Sequence, residues 1–262
     1  MLRYRVKQLV RPLRMLGRRA LLLPTMEEQE YVSSRGCLRS AATFVTRNLV
    51  AGDYLEFGVW KGDSFTKAYN ALTEIRGQHK NWLTRHTTHQ SQYGESTSNF
   101  ELWNKMEPRF FAFDSFEGLP EIAADELHEN WAKGSYACSE QQFRRNVAEE
   151  GVDMSRVITV PGFYDKSLTP ETKARLGLTR AAIVNIDCDL YESTITVLDW
   201  VTDLLTQGTI LVFDDWFCYQ GSPDFGERKA CREWLARNPQ IELIEYWREP
   251  PQPMSFIVNF KR

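Results

Sequence analysis

The chain has 262 residues, of which 42% are hydrophobic, and a formal net charge of −3. This length suits one large α/β domain or two small ones, and the small net charge excludes a general electrostatic attraction to nucleic acid. The five cysteines are widely spaced and form no Cys-x-x-Cys pair, so we predict neither a zinc knuckle nor a disulfide framework. Reduced thiols and a cytoplasmic location are therefore expected.

Residues 1–24 form a basic arm. They contain seven basic residues and no acidic one, which leaves a net charge of −10 on residues 25–262. The longest apolar run of the arm, residues 20–23, is shorter than the roughly 7–15 residues of a signal-peptide core. We favour an arm that contacts a second subunit, and hence a homo-oligomer without a membrane partner. The alternative is a basic helix that lies on a membrane, which Pro12 would interrupt.

Strands and helices alternate along residues 25–262, which predicts a single α/β domain. Short apolar runs predict seven strands, at residues 54–59, 109–114, 157–160, 181–186, 209–213, 241–246 and 255–260. Helical spacing predicts helices at residues 27–48, 64–75, 139–150 and 194–205 and around Trp234. A short, proline-rich link joins the last two strands, so we expect them to form an antiparallel hairpin.

The stretch 78–108 interrupts this alternation because it is polar and has few aliphatic residues. A loop of this length is often a lid, and we expect a poorly ordered insertion or lid over a binding site. His79, His86 and His89 fall in this stretch. Since no carboxylate or cysteine stands close by, we interpret them as solvated loop residues and not as metal ligands.

Two apolar runs end abruptly in carboxylates. Asp187 follows the fourth predicted strand, and Asp214 and Asp215 follow the fifth. The carboxyl ends of neighbouring parallel strands meet at one edge, and carboxylates packed there need a cation or a shared proton. Oxygen ligands suit Mg²⁺, Mn²⁺ or Ca²⁺. We favour a cation site over the alternative that these aspartates cap helices. Asp189 is interpreted as a loop residue or an N-cap.

The turn after the first strand has the pattern of a cofactor site. It places two glycines before a helix N-terminus, where backbone N–H groups are free to meet a ligand. Its candidate residues are Glu56, Gly58, Gly62 and Ser64. Asp114 and Ser115 follow the second strand, at a position that binds ribose hydroxyls in doubly wound folds. The alternative is that Asp114 only orders a turn.

Four segments together resemble S-adenosylmethionine-dependent O-methyltransferases of the macrocin/mycinamicin type. They are YLEFGVWKGDSF (54–65), FAFDSFEGLPE (111–121), NIDCDLYESTITVL (185–198) and TILVFDDW (209–216). The resemblance implies a class I methyltransferase fold, with a Rossmann-like, doubly wound sheet of seven strands. It also implies a divalent cation, Mg²⁺ above all. The expected acceptor is a hydroxyl of a sugar or another polyhydroxylated natural product.

The resemblance assigns a role to each motif. The turn that contains Glu56, Gly58 and Ser64 lines the methionine end of the cofactor, and Asp114 binds its ribose. The metal ligands are Asp187, Asp214 and Asp215, and Asp187 is also the base. The sequence departs from the family at Cys188, where glycine is usual, and at Trp216, where tyrosine is common.

Several alternatives remain at this point. An NAD(P)-dependent sugar-modifying enzyme would need a G-x-G-x-x-G turn, which this sequence does not contain. A non-catalytic protein with a methyltransferase fold would have little reason to keep three packed carboxylates. Aromatic residues after predicted strand ends either wall an acceptor pocket or belong to the core; they are Trp60, Phe163, Tyr164, Trp216 and Phe217.

Overall fold

The computed structural model describes residues 26–85, 97–123, 126, 131–248 and 253–261. The basic arm, with the subunit contact predicted for it, lies outside these residues. The α-helices of the described chain are α1 (Met26–Arg47), α2 (Asp63–Arg85), α3 (Thr97–Lys105), α4 (Glu140–Glu149), α5 (Tyr164–Ser167), α6 (Pro170–Leu176), α7 (Tyr191–Val201) and α8 (Gly226–Arg237). The strands are β1 (Asp53–Phe57), β2 (Phe110–Asp114), β3 (Val157–Pro161), β4 (Ala181–Ile186), β5 (Ile210–Phe213), β6 (Ile241–Arg248) and β7 (Met254–Phe260).

The described strands form one sheet with the order β3-β2-β1-β4-β5-β7-β6. Neighbouring strands from β3 to β5 pair in parallel, and β7 is antiparallel to both β5 and β6. The predicted seven-stranded sheet and its C-terminal antiparallel hairpin are therefore confirmed. In the described part of the chain no helix is long and apolar enough to cross a membrane.

Helices cover both faces of the sheet. All five residues of β1 are buried, as expected for a central parallel strand with both faces covered. Successive side chains of a strand point to opposite faces. Leu55 and Phe57 accordingly pack with residues of α7 and α8, such as Trp200 and Trp234. Tyr54 packs on the other face, in a cluster formed by α1, α2 and α4. The sheet is therefore doubly wound.

The polar stretch 78–108 is not the continuous loop that its composition predicts. Helix α2 continues to Arg85, beyond the predicted end at residue 75, and α3 occupies much of the second half. Residues 86–96, which include His86 and His89, lie outside the described residues. Leu83 and Trp103 are buried in a small cluster with Leu49 and Ala51. Buried apolar side chains at single positions thus occur in helices whose average composition is polar.

The described parts of this stretch lie at the amino edge of the sheet. Leu49 and Ala51 precede β1, and Arg76 donates hydrogen bonds to the backbone oxygens of Trp103 and Met106, just before β2. A lid over the carboxyl edge is therefore not supported by these residues. His79 is a partly buried helix residue and not the solvated loop residue that was predicted: its ring centroid lies 5.7 Å from that of Trp103, and burial lowers the pKa of the imidazole.

Candidate active site

The carboxyl ends of four parallel strands are level at one edge of the sheet. Phe57 of β1 is in register with Phe113 of β2 and with Ile186 of β4, and Ile186 is in register with Phe213 of β5. Asp114 is the last residue of β2, and Gly58, Asp187 and Asp214 directly follow β1, β4 and β5. The register therefore places these four residues side by side. The sequence prediction that separate motifs meet at one edge agrees with this geometry.

Gly58 makes the centre of this edge sterically tight. Its φ is +85°, and a Cβ at this position would lie 1.7 Å from the backbone oxygen of Asp187. Only glycine tolerates both the left-handed conformation and the close approach. Gly58 therefore lets the turn after β1 pass directly over the end of β4, and so brings the cofactor motif against the acidic motif.

Glu56 is a buried anchor beneath the turn and does not line an open cavity. Its side chain is 0% exposed. One carboxylate oxygen accepts from the Ser64 hydroxyl at 2.5 Å, and the other accepts from the Tyr54 hydroxyl. Burial raises the pKa of Glu56 to about 7, although these hydrogen bonds oppose the shift. The network ties β1 to the first turn of α2 and so holds the glycine turn in place.

Gly62 serves helix packing. A Cβ on this residue would lie 2.4 Å from Val147 of α4, and its φ is +93°. The glycine thus allows α4 to approach the turn closely. The geometry gives Gly62 a structural role, distinct from the cofactor contact proposed for it on the sequence.

Asp114 orders the turns around it. One oxygen accepts from the backbone N–H groups of Val59 at 2.8 Å and Trp60 at 3.2 Å, and the other accepts from Phe116 N–H at 2.7 Å. The neighbouring Ser115 hydroxyl donates to the Gly118 oxygen at 2.8 Å, which is a turn contact. Both residues stand at the predicted edge, and both already have local structural partners.

The acidic cluster lies beside this turn. The pKa of Asp187 is raised well above its ordinary value, first by burial and then by the charges of Asp214 and Asp215. The charges of Asp189 and Glu56 act in the same direction. The structure therefore brings the three predicted acids close enough to interact electrostatically, as the sequence pattern required.

Asp189 also belongs to the cluster. It lies in the loop after β4, as one of its two interpretations predicts, and the other interpretation, an N-cap, is wrong. Leu190 occupies the N-cap position of α7, without a side-chain cap. Burial raises the pKa of Asp189 to about 6, although the neighbouring Asp215 side chain opposes the shift. Its φ of +62° is unusual for a residue other than glycine. An alternating sequence pattern cannot reveal such a left-handed residue.

Glu227 is a further acid that the sequence analysis did not single out. It lies in the first turn of α8 and is 1% exposed. Its Oε2 accepts from the backbone N–H of Asp215 at 3.0 Å. Burial and the charges of Asp215, Asp214 and Asp189 raise its pKa well above the ordinary value. No sequence signal separates it from an ordinary helix-start glutamate.

The donor chemistry of this cluster fits a hard cation. The largest contributions to the pKa shifts of Asp187, Asp189 and Glu227 come from burial and from other acids, and no described lysine or arginine is among them. Glu227 Oε1 is buried and lacks a hydrogen-bond partner within the described chain. However, no three histidine, cysteine or acidic side chains among the described residues stand at the spacing of a metal site. A cation would therefore require these side chains to adjust.

The segment after β2 crosses the carboxyl edge. Glu126 Oε1 accepts from the backbone N–H of Tyr191, at the start of α7, at 2.5 Å. Tyr219, four residues after Asp215, donates its hydroxyl to the Glu126 backbone oxygen at 2.8 Å. The Trp131 ring packs 5.4 Å from that of Tyr219. These contacts connect residues of the segment after β2 to residues that follow β4 and β5.

Three of the aromatic residues proposed for an acceptor pocket differ in their surroundings. Tyr164 and Trp216 pack against core rings, including Phe57 and Phe213. Trp60 is 43% exposed and meets Tyr136, also 43% exposed, edge to face at 5.5 Å. Cys188, the departure from the family glycine, is buried with its sulfur 3.6 Å from the Thr194 hydroxyl. Its side chain therefore does not fill the open edge.

The order of the seven strands, with β7 antiparallel to its neighbours, is that of the class I methyltransferase fold. The sequence profile of the macrocin-O-methyltransferase (TylF) family matches residues 98–238, just over half of the chain. The chain belongs to this family, and the resemblance inferred from the sequence motifs is confirmed.

Two curated relatives carry specific names. The chain is similar to the 8-demethyl-8-(2,3-dimethoxy-alpha-L-rhamnosyl)-tetracenomycin-C 4'-O-methyltransferase of Streptomyces olivaceus, with 29% identity over 177 residues, 64% of this chain and 54% of that enzyme. It is also similar to the mycinamicin III 3''-O-methyltransferase of Micromonospora griseorubida, with 26% identity over 227 residues, 81% of this chain and 72% of the relative. The chain thus spans about half of the length of the Streptomyces olivaceus enzyme.

Two solved structures share the fold. The O-methyltransferase NovP superposes with a TM-score of 0.62 at 19% identity, over 86% of this chain and 79% of NovP. The calicheamicin methyltransferase CalS11 superposes with a TM-score of 0.57 at 19% identity, over 91% of this chain and 95% of CalS11. At this level of identity the likeness concerns the fold alone.

Proposed function

We propose that the protein transfers a methyl group from S-adenosylmethionine to a hydroxyl of a sugar on a natural product, with the help of a divalent cation, Mg²⁺. The observation that carries the proposal is the level row of Asp114, Gly58, Asp187 and Asp214 in a member of this family. The name of the Streptomyces olivaceus relative describes methylation at a 4'-oxygen of a rhamnosyl-tetracenomycin. That name supports a sugar hydroxyl as the acceptor.

The β1–β2 side of the edge would bind the donor. A carboxylate has about four lone-pair sites, and the backbone hydrogen bonds of Asp114 use three of them. One site is left for a ribose hydroxyl. Glu56 and Ser64 act from below, because their mutual hydrogen bond stabilises the turn that faces the methionine end.

The β4–β5 side would bind the cation and the acceptor. Asp187, Asp214 and Asp215 are the residues that would hold the cation, which when bound lowers the pKa of a hydroxyl beside it. Asp187 would accept the proton of that hydroxyl. Asp189, a further acid of the cluster, is the second candidate for this role.

The remaining task of the protein is alignment. The sulfonium donor carries its own leaving group, so the acceptor oxygen needs only to be held in line behind the methyl carbon. Such positioning can lower a barrier by about 7–11 kcal/mol. The contacts of Glu126 with Tyr191 and Tyr219 support this arrangement, because they hold Glu126 against the residues that follow β4 and β5.

Transfer of a labelled methyl group tests the proposal. The protein would be incubated with Mg²⁺, methyl-labelled S-adenosylmethionine and a panel of glycosylated natural products, each paired with its aglycone and with the sugar already O-methylated. We expect the label as a sugar O-methyl group in the glycosylated acceptors alone. Label in the aglycones would contradict the sugar acceptor. Cofactor binding without transfer to any acceptor would indicate a non-catalytic protein with this fold.

A further inference from the structure

Glu227 differs from an ordinary acid at a helix start. Acids in the first turn stabilise a helix by interacting with its dipole, and they do so from the surface. Glu227 is instead 1% exposed, and its hydrogen bond reaches Asp215, twelve residues earlier in the chain. Burial of a carboxylate is costly unless it is compensated. The position of this side chain therefore calls for a role other than helix stabilisation.

The contact made by Glu227 controls the turn that carries two of the clustered acids. Asp214 is fixed on one side, because its N–H donates to the Ile186 oxygen of β4 at 3.0 Å. Asp215 is fixed on the other side, because its N–H donates to Glu227 Oε2 at 3.0 Å. The two acceptors hold the peptides on either side of the Asp214 Cα. They thereby set the direction in which the Asp214 carboxylate leaves the backbone, and the position from which that of Asp215 starts.

The surroundings of Glu227 link it to a cation. Asp215, Asp214 and Asp189 are its acidic neighbours, and Oε1 of Glu227 is buried without a hydrogen-bond partner within the described chain. A buried, unsatisfied acceptor beside an acidic cluster is expected where a donor or a cation is taken up. Residues that orient metal ligands in this way change cation affinity when they are removed.

We propose that Glu227 is a positioning residue of the cation site, which acts through the Asp215 amide to orient Asp214 and Asp215. This inference rests on the proposed function, since it requires a cation at the cluster. The proposal assigns Glu227 this role because its Oε2 holds the Asp215 amide, and it does not require Glu227 to bind the cation itself. Its hydrogen-bonding capacity, and not its charge, is the property that matters.

Calorimetric titration of Mn²⁺ into chelator-treated full-length protein tests the inference. Removal of a residue that orients ligands costs about 10–100-fold in metal affinity. We expect a loss of that size in Glu227→Ala. Glu227→Gln should stay within about threefold of the wild type, because its amide oxygen still accepts from the Asp215 N–H. Glu233→Gln is the matched control on the same helix, since this carboxylate binds the Tyr191 hydroxyl outside the cluster.

The outcomes separate this inference from the function on which it rests. A wild-type protein that binds no Mn²⁺ overturns the cation site and the role of Glu227 together. A wild type that binds Mn²⁺, with Glu227→Ala equal to it, overturns only the role of Glu227. A loss in Glu227→Gln as large as in Glu227→Ala also overturns it, because the charge would then be the essential property. Cofactor affinity and thermal unfolding, measured on each variant in parallel, identify loss of fold.

Discussion

Asp114 illustrates how one residue serves both structure and the proposed chemistry. Its carboxylate orders three backbone amides and keeps capacity for one ribose hydroxyl. We predict that Asp114→Ala weakens S-adenosylmethionine binding by about 1.5–3 kcal/mol, or one to two decades in affinity, because hydrogen bonds to a charged acceptor are lost. Calorimetry measures this change. Asp199→Ala, an exposed acid on α7, is the control.

A donor analogue separates the ribose contact from the turn contacts. A 2'-deoxy or 3'-deoxy donor should bind wild-type protein more weakly than S-adenosylmethionine does. The Asp114→Ala variant should bind S-adenosylmethionine and the weaker-binding deoxy analogue with equal affinity. If both analogues lose the same affinity in the variant as in the wild type, relative to S-adenosylmethionine, Asp114 acts only on the turn.

Gly58 gives a second prediction at the scale of single residues. A Cβ at Gly58 would meet the Asp187 oxygen at 1.7 Å, whereas a Cβ at Gly177, also at positive φ, would have no atom within 4 Å. Gly177→Ala should therefore cost only backbone strain, about 1–3 kcal/mol. Gly58→Ala should add an overpacking cost of at least about 1–3 kcal/mol. Denaturant unfolding compares the two variants, and equal losses would contradict the tight crossing at Gly58.

The residues of the site were predictable to different degrees. Asp187, Asp214 and Asp215 could be predicted because each follows an apolar run, and parallel strands bring such positions to one edge. Asp189 and Glu227 could not, because their places depend on a left-handed residue and on how α8 docks. Gly62 had the correct residue type for a cofactor turn but lies against Val147, a contact that no local pattern encodes.

At the scale of elements, α3 was hidden by the polar composition around it. Its burial depends on one large side chain, Trp103, which is 1% exposed. Trp103→Ala should cost about 3–5 kcal/mol of unfolding free energy, measured by denaturant titration. The acceptor KM should not change, because the cluster of Trp103 lies at the amino edge. Leu102→Ala, at a 40% exposed neighbour, is the control and should stay within about 0.5 kcal/mol. A raised KM with unchanged stability would revive the lid.

Other elements had signals in the sequence that predict them. Helix α6 begins after Thr169, whose side chain caps it, has proline in its first turn and ends at Gly177 in the left-handed conformation. These are ordinary start and stop signals, although the helix has no buried residue and so no apolar periodicity. The strands were predicted to within one or two residues, and the central strands β4 and β5 had the clearest signal because they are buried and largely apolar on both faces. Periodicity therefore detects buried elements, and capping residues are needed to detect exposed ones.

At the scale of the whole molecule, charge is the feature that the fold does not explain. Residues 1–24 contain seven basic residues and no acidic one, whereas the rest of the chain has a net charge of −10. We propose that this arm joins subunits. Light scattering on protein that starts at Thr25 should show a smaller assembly than the full chain. Glutamine at all seven basic positions should have the same effect, and added salt should weaken the full-length assembly. An unchanged assembly, with lost binding to anionic vesicles, would favour the membrane.

In the proposed mechanism, the acidic cluster at the carboxyl edge supports methyl transfer through a cation. The rate of labelled methyl transfer, measured after exhaustive chelation and again after Mg²⁺ is restored, tests it most directly. Asp187→Asn, Asp214→Asn and Asp215→Asn complete the test, and the exposed Asp224, which pairs with Arg232, provides the control as Asp224→Asn.

We predict that chelation abolishes transfer and that Mg²⁺ restores it in the wild type and in Asp224→Asn. The three cluster variants should stay inactive at every Mg²⁺ concentration while they still bind S-adenosylmethionine. Full transfer by the chelated wild-type protein would contradict the account, and would leave Asp187, Asp214 and Asp215 as residues that only order the turns after β4 and β5.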